Sequence, residues 1–433
     1  MPRVGDLAAA VLTLAVAGCG GEPAGTDFGE PQFLQRTVGA LEAVSAFGSN
    51  PGALKMYKYV PANVPQNAPL VVAMHGCDQD ARAYEQVGWN ELADKHKFYV
   101  LYPEQPIGNN PMKCFNWAGE YGDPTNLRRG QGENLSIKEM VDKMKADHSI
   151  DATRVFVTGL SAGGAEVALM LATWPEVFSA GAIIAGLPFH CATTLNDATS
   201  CMNNGKDLTP AQWAKYVTEA HPAHSGAYPR VSIWQGTQDA FVKPINSTEL
   251  VDQWTAVHGI DQKADAEDTL ETHPRKAYKN ASGQTVVELI QITGMGHGTP
   301  VDPSSGCGTA GSYRLNVGVC SSEYIAEFFG ITGPRPPPGG DKEAPVVEIT
   351  EPAAGATVGG QTVVKVTASD NVAVAKVELF LDAELIGTDA SAPFEFAWNT
   401  GLHANGSYTL TAKAHDAAGN VGTDADTTVT VDS

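Results

Sequence analysis

Basic side chains are scarce in this chain: 28 Lys plus Arg stand against 49 Asp plus Glu over 433 residues, a formal charge of −21. That balance repels polyanions at long range, so nucleic acid and anionic membrane surfaces are excluded as partners. An acidic, solvated surface instead suits an exported protein that must stay soluble. A membrane-spanning run is also missing from the N-terminus. The apolar stretch Leu7 to Ala17 is too short to cross a bilayer but has the length of a signal-peptide core. Neither a Cys-x-x-Cys pair nor a cluster of Cys and His at ligand spacing occurs, which argues against a zinc site.

The segment Val16-Ala17-Gly18-Cys19 resembles a bacterial lipobox. Cleavage there would remove residues 1–18 as a lipoprotein signal peptide and leave Cys19 lipidated, the only route by which a membrane enters the reading. Cleavage after Ala15-Val16-Ala17, with full release, is the other route, and Arg3 is opposed by Asp6 in a weak n-region. Without Cys19, six cysteines remain for an oxidising compartment: Cys77, Cys114, Cys191, Cys201, Cys307 and Cys320. Six thiols allow fifteen pairings, which sequence does not resolve. The short loops favour Cys191 with Cys201 and Cys307 with Cys320, leaving Cys77 for Cys114.

Hydrophobic residues make up 43% of the chain, enough for one large core and a second small domain. Residues 19–45 read as a flexible tether and lead-in, because their first half is Gly, Glu, Pro and Thr with few apolar side chains. Residues 46–332 alternate short apolar runs with helical patterns, the signature of a mostly parallel α/β sheet covered by helices. Strands are expected at Leu70–Met74, Phe98–Tyr102, Arg154–Thr158, Ala182–Ala185, Val231–Gln235 and Val286–Ile292. A helix is expected over Leu135–His148, where Ile137, Met140, Val141 and Met144 share one face. The Pro/Gly stretch 333–342 cannot pack a core and reads as a linker. Residues 343–433 then change to short, evenly spaced strands of an all-β sandwich. There, Ser369-Asp370-Asn371-Val372-Ala373 and Asp416-Ala417-Ala418-Gly419-Asn420 resemble bacterial immunoglobulin-like modules, which either bind polymers or space domains.

The chemistry centres on Gly159-Leu160-Ser161-Ala162-Gly163, placed between the strand Arg154–Thr158 and a helical stretch. Strand, sharp turn and helix with G-x-S-x-G at the turn form the nucleophile elbow of an α/β-hydrolase. Ser161 is the expected nucleophile, and the N–H of Ala162, opening the helix, an oxyanion donor. A serine hydroxyl needs a base, and the base needs an acid to fix its tautomer. Asp239, just after the strand Val231–Gln235, is the expected acid; Asp252, on a helix-like stretch, faces solvent in this reading. His297, in Gly294-Met295-Gly296-His297-Gly298, is the expected base, since among eleven histidines it follows the Asp in a Gly-rich turn. The second oxyanion donor is expected at the N–H of Cys77, after His75-Gly76, with His75 holding the loop.

His75-Gly76-Cys77-Asp78-Gln79, Cys114-Phe115-Asn116-Trp117, Gly159 to Gly164 and Gly296-His297-Gly298-Thr299-Pro300 together resemble the poly(3-hydroxybutyrate) depolymerase family of esterases over residues 46–332. Gly311 to Ser322 resembles the segment that closes the catalytic domain in polyester depolymerases. The resemblance implies a cofactor-free serine esterase with the triad Ser161, Asp239 and His297, and Trp117 walling the substrate cleft. It also implies a polyester or polysaccharide-ester substrate: poly(3-hydroxybutyrate) first, then feruloyl or acetyl esters of plant polysaccharide. A non-catalytic surface-binding lipoprotein is the alternative of another class.

Overall fold

The computed structural model describes residues 41–119, 124–332, 343–371, 374–390, 392–416 and 419–432. The expected signal peptide, Cys19 and the 333–342 linker lie outside the described residues.

Ten strands form one mixed sheet: β1 (Glu42–Val44), β2 (Lys55–Tyr59), β3 (Ala68–Met74), β4 (Tyr99–Glu104), β5 (Ile150–Leu160), β6 (Ala180–Ile184), β7 (Arg230–Gly236), β8 (Ala266–Leu270), β9 (His273–Lys279) and β10 (Thr285–Ile292). Their spatial order is β1-β2-β4-β3-β5-β6-β7-β10-β9-β8. The six central strands run parallel, while both edges are antiparallel. All six strands expected from sequence are these central ones. Covered by helices on both faces, they are continuous apolar runs such as Leu70-Val71-Val72-Ala73-Met74, every member buried. The edge strands β1, β2, β8 and β9 are interrupted by charged residues and so leave a weaker trace in sequence.

The lead-in contributes a strand that sequence did not single out. Residues 42–44 form β1 and pair with β2 in the register Glu42↔Lys58. Burial of Leu41 and an ion pair from Lys58 to Glu42 at 3.4 Å accompany that pairing.

Eight helices are described: α1 (Ala81–Tyr84), α2 (Trp89–His96), α3 (Gly132–Asp147), α4 (Ala162–Thr173), α5 (Leu195–Asn204), α6 (Pro210–Ala220), α7 (Ile245–Val257) and α8 (Ser321–Phe329). On α3 the stripe Ile137, Met140, Val141 and Met144 is buried in the core shared with β3 and β5. α4 is buried along its length, as its apolar sequence requires when a helix is wrapped by sheet and neighbouring helices. None of the described helices is long and apolar enough to cross a membrane.

Two short strands, β11 (Thr299–Val301) and β12 (Arg314–Asn316), pair in parallel as a separate small sheet of the hydrolase part. The C-terminal residues form two sheets around a core of their own. One is β13 (Val346–Glu351), β15 (Gln361–Ser369) and β18 (Phe394–Asn399). The other runs β14 (Thr357–Val358), β21 (Thr427–Val431), β19 (Gly406–Asp416), β16 (Val374–Leu381) and β17 (Glu384–Asp389), with β20 (Val421–Thr423) on β19. Alternation is strict in β18, where Phe394, Phe396 and Trp398 point inward. In the motif Asp416 to Asn420, the Asp416 carboxylate accepts from the Asn420 N–H at 2.8 Å and its Nδ2 at 2.7 Å, closing the β19–β20 hairpin.

Candidate active site

Ser161 stands between β5 and α4 with φ 57° and ψ −119°, a strained conformation for a residue with a side chain. It is held there by its N–H donating to the Ile184 carbonyl (2.9 Å) and its own carbonyl accepting from Ala165 N–H (2.8 Å). The flanking glycines answer to contact: a Cβ on Gly163 would lie 2.5 Å from the carbonyl oxygens of Met74 and His75. The first turn of α4 therefore rests directly on the loop after β3, where Cys77 lies.

Asp239 follows β7, and His297 follows β10. Gln238 N–H donates to Met295 O at 2.9 Å, Thr237 N–H to Ile292 O at 3.0 Å, and Gly294 N–H to Thr237 Oγ1 at 2.8 Å, stitching the two loops together. The crossing is tight enough that a Cβ on Gly236 would lie within 2.5 Å of Met295 O. As a result His297 Nδ1 sits 2.7 Å from Asp239 Oδ2. The remaining capacity of the buried carboxylate is used: Oδ1 accepts from the N–H groups of Phe241 and Val242, both at 2.9 Å, and Oδ2 also from Gln235 Nε2 at 3.2 Å. An Asp so tied is a fixed acceptor that favours the proton on Nδ1 and leaves Nε2 able to accept one.

Ser161 and His297 line one cavity of about 160 Å³ together with Gly76, Cys77 and Asp78. Neither the Cys77 nor the Ala162 N–H has an acceptor among the described residues, and α4 adds its dipole behind Ala162. The Cys77 loop is held from three sides. Cys77 is bridged to Cys114, Asp78 N–H donates to Met112 O at 2.7 Å, and Gly76 N–H to Gln79 Oε1 at 2.9 Å. His75, fully buried, donates from Nδ1 to Gly76 O (2.7 Å) and accepts at Nε2 from Gln105 N–H (3.0 Å). That is the pattern of a neutral imidazole, and burial lowers its pKa to about 4. Pairings Cys191–Cys201 and Cys307–Cys320 are formed as well.

Trp117 departs from expectation. It is 6% exposed, does not line the cavity, and belongs to a buried cluster with Ala162, Ala165 and Trp213. The cause is upstream: the buried Glu133 carboxylate accepts from Asn116 N–H (2.8 Å), Asn116 Nδ2 (2.6 Å) and Gln105 Nε2 (2.5 Å), which pins the loop with Trp117 turned inward. Trp117 supports the start of α4 from within the core.

A family model described as esterase PHB depolymerase matches residues 54–276, and a bacterial Ig domain model matches residues 345–412. This chain belongs to the esterase PHB depolymerase family. The esterase is 55% identical over 300 residues to poly(3-hydroxyalkanoate) depolymerase C of Paucimonas lemoignei, covering 69% of this chain and 72% of that one. It is 30% identical to feruloyl esterase B of Talaromyces stipitatus, covering 68% of this chain and 76% of the relative. Among solved structures, an acetyl xylan esterase from Aspergillus awamori superposes with a TM-score of 0.58 at 27% identity, over 68% of this chain and all of that one. The protein is a carboxylic ester hydrolase of the α/β-hydrolase fold with a C-terminal Ig-like domain, and the non-catalytic alternative is set aside.

The cavity walls of this esterase are the part that sequence reading missed. Met112 and Phe241 line it and are 55% and 57% exposed; Met202 and Tyr313 complete an apolar rim. The Phe241 and Tyr313 rings lie 5.4 and 6.0 Å from the His297 ring. Tyr313 falls in the Gly311 to Ser322 segment already singled out. Phe241 follows two residues after Asp239, a position its backbone bond to that carboxylate explains only in the fold.

Proposed function

We propose that this esterase cleaves poly(3-hydroxybutyrate) or its oligomers outside the cytoplasm by two-step acyl transfer. Ser161 Oγ attacks the ester carbonyl while His297 takes its proton; the N–H groups of Cys77 and Ala162 receive the developing oxyanion. His297 returns the proton to the leaving alcohol oxygen, the acyl-enzyme forms, and water activated by His297 releases the acid. Asp239 orients His297 throughout. The observation that carries the substrate assignment is the 55% identity with a poly(3-hydroxyalkanoate) depolymerase across most of the catalytic region. A cavity rimmed by Met112, Phe241 and Tyr313 suits an aliphatic, uncharged chain. The feruloyl esterase relative supports the second reading, a plant-polysaccharide ester.

Three disulfides fit an oxidising compartment. The Cys19 lipobox adds a lipid anchor, and a Cys19→Ala variant recovered from the membrane fraction in wild-type amounts would remove it from the reading. For the substrate, turbidity loss in poly(3-hydroxybutyrate) suspensions is compared with release of ferulate and acetate from polysaccharide esters. Faster turnover of the polysaccharide esters, with no clearing, would overturn the polyester assignment.

A further inference from the structure

We infer that Glu176, His221 and His224 form a zinc-binding clip at the end of α4 remote from Ser161. α6 ends at Ala220, and His221 caps it; a turn closed by His224 N–H donating to His221 O at 2.9 Å then brings the second imidazole to the same side. The two rings are 5.8 Å apart. Glu176 comes from a different part of the chain, three residues beyond the last residue of α4. One potential ligand atom from each of the three residues lies within 4.8 Å of the other two. His221 Nε2 and Glu176 Oε2 are 3.9 Å apart, too far for a hydrogen bond and within about 0.5 Å of the roughly 3.4 Å that separates two tetrahedral ligands of one ion, a gap that a small side-chain rotation closes.

Two imidazoles and a carboxylate, with solvent to fill a fourth position, are a donor set for zinc rather than calcium, which takes oxygen ligands. Glu176 is oriented from outside: Arg129 Nη2 donates to Oε1 at 2.6 Å, while its Nη1 reaches Oε2 at 3.2 Å. The oxygen facing His221 thus has the weaker of the two guanidinium contacts. Arg129 in turn stacks on Trp174, 3.8 Å from the ring centroid, and donates to Thr173 O, so the carboxylate is presented by a fixed partner.

The residue count places the clip away from catalysis. α4 has twelve residues and spans about 18 Å; Ser161 precedes its first turn and Glu176 follows its last. Zinc there would join the ends of α4 and α6 and stabilise the fold, leaving ester hydrolysis unchanged. Cysteine spacing holds no trace of such a site, because its ligands are two histidines and a glutamate from a distant segment.

The test uses the full, untagged chain, stripped with chelator and dialysed. Calorimetric titration with ZnCl2 should show one equivalent bound, and zinc at a hundredfold excess over Kd should raise Tm by roughly 5 °C, with calcium giving no shift. The His221→Ala/His224→Ala double variant should lose both the equivalent and the shift while keeping the apo Tm, the circular dichroism spectrum and the wild-type kcat/KM on a soluble ester. Glu176→Gln should weaken uptake in the same way. Zinc uptake that is absent in the wild type, or that survives in the double variant, would overturn the inference. Neither result bears on the substrate assignment, which is read by polymer clearing.

Discussion

The hydrolase part and the Ig-like part of this chain handle buried polarity in opposite ways. Among the described residues the Ig-like part buries only Thr400, Asp416 and Thr427 as polar side chains, around an aliphatic and aromatic core of alternating strands. The hydrolase part buries Glu133, Asp239, His75, Gln105 and many more, each of these four tied by hydrogen bonds to loops at the C-terminal ends of the central strands. Buried polar groups are costly unless satisfied, so their concentration marks where geometry is held for chemistry. The Ig-like core, built from alternation alone, carries stability without holding a constellation.

The contrast can be broken most sharply at Ser161. Ser161→Ala should lower kcat on a soluble ester by about 10⁶-fold while leaving Tm near wild type, read by p-nitrophenyl ester hydrolysis and calorimetry. Activity retained within tenfold would refute the triad. Asp239→Asn keeps the shape of the buried site but removes the acceptor that fixes the His297 tautomer, and should cost about 10⁴-fold in kcat.

In the Ig-like part the same scale of change should appear in stability alone. Trp398→Ala, at a 3% exposed core position, should destabilise that part by about 3–5 kcal/mol and leave kcat unchanged, a pairing that differential scanning calorimetry with parallel kinetics would check.

Acid should separate the two parts through His75, whose pKa falls from its usual 6.5 to about 4 in the fold. Between those values the unfolded chain takes up a proton that the native imidazole refuses, so stability is lost as pH falls from 6.5 towards 4. The loss is about 3 kcal/mol at most from this group. Thermal melts at pH 7.5, 5.5 and 4.5 should show the hydrolase transition moving more than that of the isolated Ig-like part, and His75→Gln should reduce the difference, with buried histidines such as His190 and His258 supplying the rest.

The smallest expected effect is from deleting residues 343–433, which should leave soluble-ester kcat/KM within about twofold. Loss of polymer clearing in that truncation would assign the Ig-like part to polymer binding; equal clearing would make it a spacer.

Much of this was legible in sequence because it depends on local order. The six parallel strands are unbroken apolar runs, the α3 stripe has helical period, and Ser161 sits in a turn whose glycines are required by close packing. Chain order after the elbow was enough to select Asp239 and His297 for a carboxylate and an imidazole that lie 2.7 Å apart in the fold. The Ig-like part was readable as short, evenly spaced strands, although its pairing into two sheets was not.

What sequence determined by itself, then, is the class of reaction, the central sheet and the identity of the residues at its strand ends, because each is encoded within a few neighbouring positions. Only the tertiary structure decided that residues 42–44 join the sheet, that Trp117 packs behind the nucleophile helix, that Met112, Phe241 and Tyr313 rim the cavity, and that Glu176 meets two histidines. Each of these depends on which distant segments are pressed together, and a linear pattern holds no record of that contact. Ser161 is the case that needed both: its motif is local, but its strained backbone persists because α4, β6 and the disulfide-held Cys77 loop close around it.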